Sequence, residues 1–388
     1  MAVRRAALQF PHARHHQRGW LLSVKVPLLD LSEQYDSIRE EVDAAIRRVV
    51  DSQRFILGAE VDAFEASLAE YLDDGSEVVG CASGTDALLL SLKALDLEPG
   101  DEVIVPAFTF FATAGAVWNA GLKPVFCDVD PASFNVTAKS VEAVSRDRTR
   151  AVIAVHLFGQ MSPLDQLVAG AEARGVRVIE DAAQSIGATQ AKAPRGVATA
   201  LSFFPSKNLG GFGDGGAITS SDSAFVERVR KLRVHGGYQM YHHEIVGTNS
   251  RLDSLQAAIL GAKLPHLPAW TAARQRHASL YDQGLADVPE VITPVVYPGN
   301  VHVYNQYTIR ARRRNELREY LTEQGIGSGV YYPVPLHRQE CFTALGGRMG
   351  QFPVSEALCD EVLSLPVYPE LGAERVERVI AAITRFYG

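Results

Sequence analysis

The sequence predicts an α/β fold: a mostly parallel central sheet with helices on both faces, followed by a smaller α+β domain. Three observations carry this. Between residues 78 and 219, short apolar, β-prone runs alternate with segments of helical periodicity. The alternation stops near Pro265 and Pro268, and the pattern beyond them is mixed. The chain has 388 residues, of which 47% are hydrophobic and 21% charged, enough for one large core and a second small one.

In chain order, residues 1–25 stand apart. They carry Arg4, Arg5, Arg14 and Arg18 with three histidines and no acid. Their apolar run is too short for a signal peptide, so a disordered N-terminal extension is expected. Order is expected from Val26. Ile38, Val42, Ile46 and Val49 recur at helical spacing, and Phe64, Leu68 and Leu72 share one face of a second helix. Strands follow around 78–81, 102–106, 124–130, 151–156, 176–181, 201–204 and 217–219. Helices are expected between them, one starting within 107–113, and one more over 252–264. The large domain thus spans 26–264. Residues 265–388 form a connector helix at 269–285 and a small domain. Its strands are expected near 303–310 and 329–332, its helices at 314–324 and 374–386.

In open parallel sheets, ligands sit at the carboxyl ends of the strands. Candidate residues gather there. Ser83-Gly84-Thr85 turns the chain into a helix, where free N–H groups and the helix dipole attract an anion; simple N-capping explains the same residues. Phe110, then Asp181 and Gln184, follow two further strands. An unpaired carboxylate at Asp181 would be costly in an apolar strand, unless it pairs with a cationic ring nitrogen or caps the next turn. Lys207 lies between Ser202-Phe203-Phe204-Pro205 and glycines at 210, 211, 213, 215 and 216. A surface lysine needs no such setting, whereas a lysine bound covalently to a flat aldehyde cofactor does. Gly211, Gly213 and Gly216 also fit G-x-G-x-x-G, but they lead into a strand rather than a helix, which rejects a dinucleotide site.

The remaining features are exclusions. A net charge of −7 without a basic stripe argues against nucleic acid. No apolar run is long enough to span a membrane. Cys81, Cys127, Cys341 and Cys359 show no metal spacing, and they suggest a reducing, cytoplasmic setting with no metal site.

From Val26 onward the sequence resembles the DegT/DnrJ/EryC1/StrS sugar aminotransferases. The resemblance rests on Ser-Gly-Thr-Asp-Ala-Leu (83–88), Gly-Asp-Glu-Val-Ile-Val-Pro (100–106) and Glu-Asp-Ala-Ala-Gln-Ser (180–185). It extends through Ser-Phe-Phe-Pro-Ser-Lys (202–207), Gly-Asp-Gly-Gly-Ala (213–217) and Gly-Thr-Asn-Ser-Arg-Leu-Asp (247–253). It implies the type I fold of pyridoxal 5'-phosphate enzymes. Lys207 would form the Schiff base and move the proton, and Asp181 would pair with the pyridinium nitrogen. Gln184 would reach the phenolic oxygen, and Phe110 would stack on the ring. Gly84, Thr85 and Ser202 would hold the phosphate. Asn249 would reach the phosphate of a neighbouring subunit, making a homodimer with shared sites.

The reaction implied moves an amino group from L-glutamate to a keto group, expected at C3, of a nucleotide-linked sugar, for surface polysaccharide or amino-sugar biosynthesis. Arg251, Tyr331, Tyr332 and His337 would bind that sugar. Tyr331 stands where C3-aminating members often carry histidine, so it offers a hydrogen bond without a charge. Amination at C4, another type I reaction and a non-catalytic sensor are the alternatives.

Overall fold

The computed structural model describes residues 26–191 and 193–388. The expectation for residues 1–25 lies outside them, apart from which the alternation read from the sequence becomes one seven-stranded sheet. Its strands are β1 (Glu77–Cys81), β2 (Glu102–Pro106), β3 (Lys123–Cys127), β4 (Thr149–Val155), β5 (Arg177–Asp181), β6 (Ala198–Ser202) and β7 (Gly216–Ser220). Their spatial order is β1-β7-β6-β5-β4-β2-β3. Pairings from β3 through β6 are parallel, while β7 runs antiparallel to both β6 and β1. β2 is buried along its whole length and β5 from its second residue, as strands covered on both faces must be.

Helices cover both faces. On one lie α1 (Ser32–Ser52), α2 (Ala59–Leu72) and, after the sheet, Ser254–Lys263; here Val42, Phe64, Leu68, Phe203 and Leu260 make a common core. Helix Gly84–Ala94 and helix Phe111–Asn119 pack on the other face, with Leu90, Val117 and Ile153 in a second core. The stretch 107–110, expected to begin a helix, is a loop; the helix starts at Phe111.

The last third of the chain divides its packing. Connector Leu267–Gly284 leads to a three-stranded antiparallel sheet of Val291–Ile292, Tyr307–Ala311 and Val362–Leu365, covered by Arg314–Glu323 and Ala373–Tyr387. Tyr281, Tyr307, Leu317, Leu363 and Val379 form its core, which Val26 joins through a bridge to Ile326. Leu336, Phe342, Phe352 and Leu358 instead join the large core. The strand expected at 329–332 does not form. Gly329 makes one bridge to Ser364, then the chain leaves the sheet, because Pro333 and Pro335 cannot donate to a ladder. That departure carries Tyr331 and Tyr332 back toward the parallel sheet.

Candidate active site

The site is built on the carboxyl ends of β4, β5 and β6. Strand alternation sends the consecutive carboxylates Glu180 and Asp181 to opposite faces. Asp181 Oδ2 accepts from the Thr113 hydroxyl at 2.8 Å and Oδ1 from the Ala183 N–H at 3.2 Å. Burial raises its pKa, with Thr113, Ala183 and the charge of Lys207 acting against the rise. For Glu180, burial is outweighed by the His156 hydrogen bond and the Arg195 charge, and its pKa falls. His156 Nδ1 accepts from the Ser162 N–H at 3.1 Å, so Nε2 carries the proton that bonds Glu180 at 2.8 Å. Neither Thr113 nor His156 stands out in the sequence. His156 was legible only through register, since β4 and β5 pair Val155 with Asp181.

Lys207 sits in a turn closed by its own N–H on Phe204 O at 2.8 Å and by Gly211 N–H on Phe203 O at 2.8 Å. Burial lowers its ammonium to about 8, and the Asp181 carboxylate opposes this. The next residue, Asn208, is buried; its amide donates to Val303 O and accepts from Asn305, both at 2.9 Å. These bonds fasten the lysine turn to the chain entering the small domain.

The Ser83 turn lies alongside. Ser83 Oγ accepts from Asp86 N–H at 3.1 Å and its carbonyl from Ala87 N–H at 2.9 Å. The N–H groups of Gly84 and Thr85 precede the helix's own bonding and face its end. A Cβ on Gly84 would lie 2.6 Å from Ser202 Cβ, so only glycine lets the two segments meet. Gln184 is held by Phe158 N–H on its Oε1 at 2.7 Å, which turns its amide nitrogen toward the Tyr332 hydroxyl at 3.3 Å. Tyr332 packs 6.0 Å from the exposed ring of Phe110 and 6.2 Å from Phe108. Burial, with the Asp181 charge, raises the Tyr332 hydroxyl far above the usual phenol range.

Not every expected residue joins this cluster. Tyr331 borders a small cavity of about 60 Å³ shared with Ser206, next to Lys207. Asn249 is exposed, and Arg251 lines an open cleft of about 980 Å³ with Tyr238, Tyr241 and Val246. Their segment is tied to the Ser83 helix by Ser250, which bonds Asp86 at 2.8 Å. His337 departs from the expectation of a sugar contact. It is buried, bonded to Glu356 at 3.0 Å and packed on Phe126 and Phe352, with no face left for a ligand. Among the described residues, no group of His, Cys, Asp and Glu is placed to hold a metal ion.

A buried carboxylate with no ion-pair contact among the described residues, an amine of lowered pKa and a helix N-terminus open at a glycine are three separate fits to a phosphorylated pyridine aldehyde. Fold and site together define a pyridoxal-phosphate-dependent aminotransferase. The chain belongs to the DegT/DnrJ/EryC1/StrS aminotransferase family, whose model matches residues 36–384. It is 43% identical over 363 residues to the UDP-N-acetyl-3-dehydro-alpha-D-glucosamine 3-aminotransferase of Acidithiobacillus ferrooxidans, covering 93% of this chain and 97% of that one. It is 47% identical over 371 residues to a protein of Geobacillus stearothermophilus named a pleiotropic regulatory protein, covering 94% and 99%. Its structure is similar to that of S. venezuelae DesV in complex with a ketimine intermediate. There the TM-score is 0.91 and the identity 42%, covering 93% of this chain and 98% of DesV.

Proposed function

We propose that this aminotransferase transfers an amino group from L-glutamate to C3 of a 3-keto nucleotide sugar, as a homodimer with shared sites in the cytoplasm. The observation that carries the reading is the opposition of Lys207 and Asp181 at the ends of adjoining strands. The kinship with a UDP-sugar 3-aminotransferase supports the sugar and the position.

Pyridoxal phosphate, when bound, supplies the aldehyde for the amine and the electron sink that lowers the barrier to proton removal. The chain's own residues do the rest. Lys207 would be the amine that holds the aldehyde, and its Nζ would carry the proton; a pKa near 8 leaves a useful neutral fraction at working pH. Asp181 would hold a ring nitrogen in its charged form, and Thr113 aims that carboxylate. Gln184 would offer an amide N–H to the ring's oxygen, Phe110 would cover the ring, and Gly84, Thr85 and Ser202 would hold the phosphate. Asn249 and Arg251 act across the dimer interface, while Tyr331 and Tyr332 border the sugar.

The test is a panel of 3-keto and 4-keto sugars on UDP and dTDP, with L-glutamate, read by mass spectrometry of the amino sugar and by 2-oxoglutarate release. Amination of the 3-keto set is expected. Turnover of the 4-keto set alone overturns the C3 assignment. Cofactor binding with neither glutamate conversion nor sugar turnover overturns the assignment of donor and acceptor.

A further inference from the structure

Lys263 is an unusual side chain in this core. It is 3% exposed and forms no ion pair among the described residues; its ammonium donates to Gly210 O at 2.6 Å. The rings of Phe212 and Trp270 lie 5.6 and 5.8 Å away, and Glu370 is the carboxylate whose charge reaches it. Burying a cation on so little compensation is costly, and an apolar side chain of the same size serves stability as well or better. Stability alone therefore does not account for the lysine.

What it touches is the turn that carries Lys207. Gly210 is packed so closely on that turn that a Cβ would lie 2.3 Å from Pro205 O and 3.0 Å from Phe204 O. A shift at the Gly210 carbonyl therefore passes directly to the Phe204–Pro205 backbone, whose carbonyl at Phe204 accepts the Lys207 N–H. The same helix takes a second hold. Gln256 Oε1 accepts the Phe212 N–H at 2.8 Å, seven residues before Lys263. Both bonds run from one rigid helix, Ser254–Lys263, whose start is capped by Asp253.

The geometry points to Lys263 and Gln256 as a two-point clamp that fixes the turn around Lys207, making both of them positioning residues for the transamination. This rests on the reading of Lys207 as the reactive amine. Releasing the clamp lets water reach Lys207, raises its pKa toward that of an ordinary lysine and lowers its neutral fraction at pH 8.

The experiment uses the full chain and the variants Lys263→Met and Gln256→Leu. First, pyridoxal phosphate and borohydride are applied to the wild type, with peptide mapping. Label at Lys207 upholds the reading; label elsewhere overturns it and the clamp with it. Next, cyanate modification of Lys207 is timed at pH 8 after cofactor removal, with the exposed Lys139 in the same chain as the internal standard. A rise of one pKa unit gives about a five-fold slower reaction at Lys207 alone. In the loaded enzyme, kcat falls about ten-fold while the KM for glutamate stays within about two-fold. Lys263→Arg, which can still donate to Gly210, restores part of both. Wild-type cyanate rates and kcat in both variants overturn the clamp while leaving the role of Lys207 intact. If Lys263→Met does not fold, Gln256→Leu decides by the same two readouts, since it removes one hold without disturbing a buried charge.

Discussion

At the scale of single residues, the chemistry follows from where charge is allowed to sit. Lys207 is half-buried with its ammonium end crowded by protein, so the neutral form gains and its pKa drops to about 8. In the cofactor-free chain, its reaction rate with cyanate should rise with pH and level off above an inflection near 8, instead of climbing toward 10.5. An inflection at the ordinary lysine value contradicts the burial argument. The linkage has a definite sign. Between about pH 8 and the unfolded lysine pKa, the unfolded chain binds more protons than the native one, so this group makes stability increase with pH across that window and costs stability below it. Gly84 gives a second prediction at this scale. Adding a methyl group in Gly84→Ala puts Cβ 2.6 Å from Ser202 Cβ and must push the two segments apart. Affinity for pyridoxal phosphate should fall by about ten-fold or more, the loss of roughly one charge-assisted hydrogen bond, as measured by absorbance titration. Unchanged affinity removes this turn from the phosphate site.

At the scale of elements, the large and small parts of the chain are joined by polar bonds that hydrophobic periodicity does not show. Asp128, just beyond β3, accepts from Val354 N–H at 3.0 Å, Ser355 N–H at 2.8 Å and Ser355 Oγ at 2.7 Å. It thus caps helix Pro353–Glu361 from 226 residues away. Asp128→Ala should destabilise the protein by about 1–2 kcal/mol, seen as a lower urea midpoint at constant slope. No shift in the midpoint means the helix end is satisfied by water instead. The same contrast explains what was legible in the sequence. The parallel strands announce themselves because each is a run of apolar residues buried on both faces; Asp181 stands out because it closes such a run, and Lys207 because glycines crowd the chain after it. His156, Thr113 and Lys263 were not legible, since each acts on a partner brought near only by sheet register or helix packing. The strand expected at 329–332 failed for a local reason, the two prolines that follow it. His337 misled because a histidine in a motif carries no sign of whether its ring faces a cleft or, as here, Phe126 and Phe352.

At the scale of the whole molecule, the segment from His235 to Arg251 does not complete its burial within one chain. Met240, Tyr241 and Val246 are 79%, 91% and 88% exposed, a cost that a second copy of the chain would remove. The segment is nevertheless anchored, by Thr248 N–H on Leu232 O at 2.8 Å and by Ser250 on Asp86. It therefore presents Asn249 and Arg251 from a fixed base. If these residues serve the partner's site, two crippled chains can repair each other. In a mixed dimer of Lys207→Ala with Asn249→Ala, one site takes its lysine from the second chain and its asparagine from the first, and is intact. The other site lacks both. Random reassociation makes half of the dimers mixed, so about a quarter of wild-type activity should return on mixing two nearly inactive preparations. If Asn249 serves its own chain, every site in the mixture lacks one residue and mixing restores nothing. Recovery should also fail after adding Val246→Asp to both chains, because a carboxylate at the contact opposes pairing. Sedimentation velocity then has to show monomers, which separates a lost interface from a lost residue.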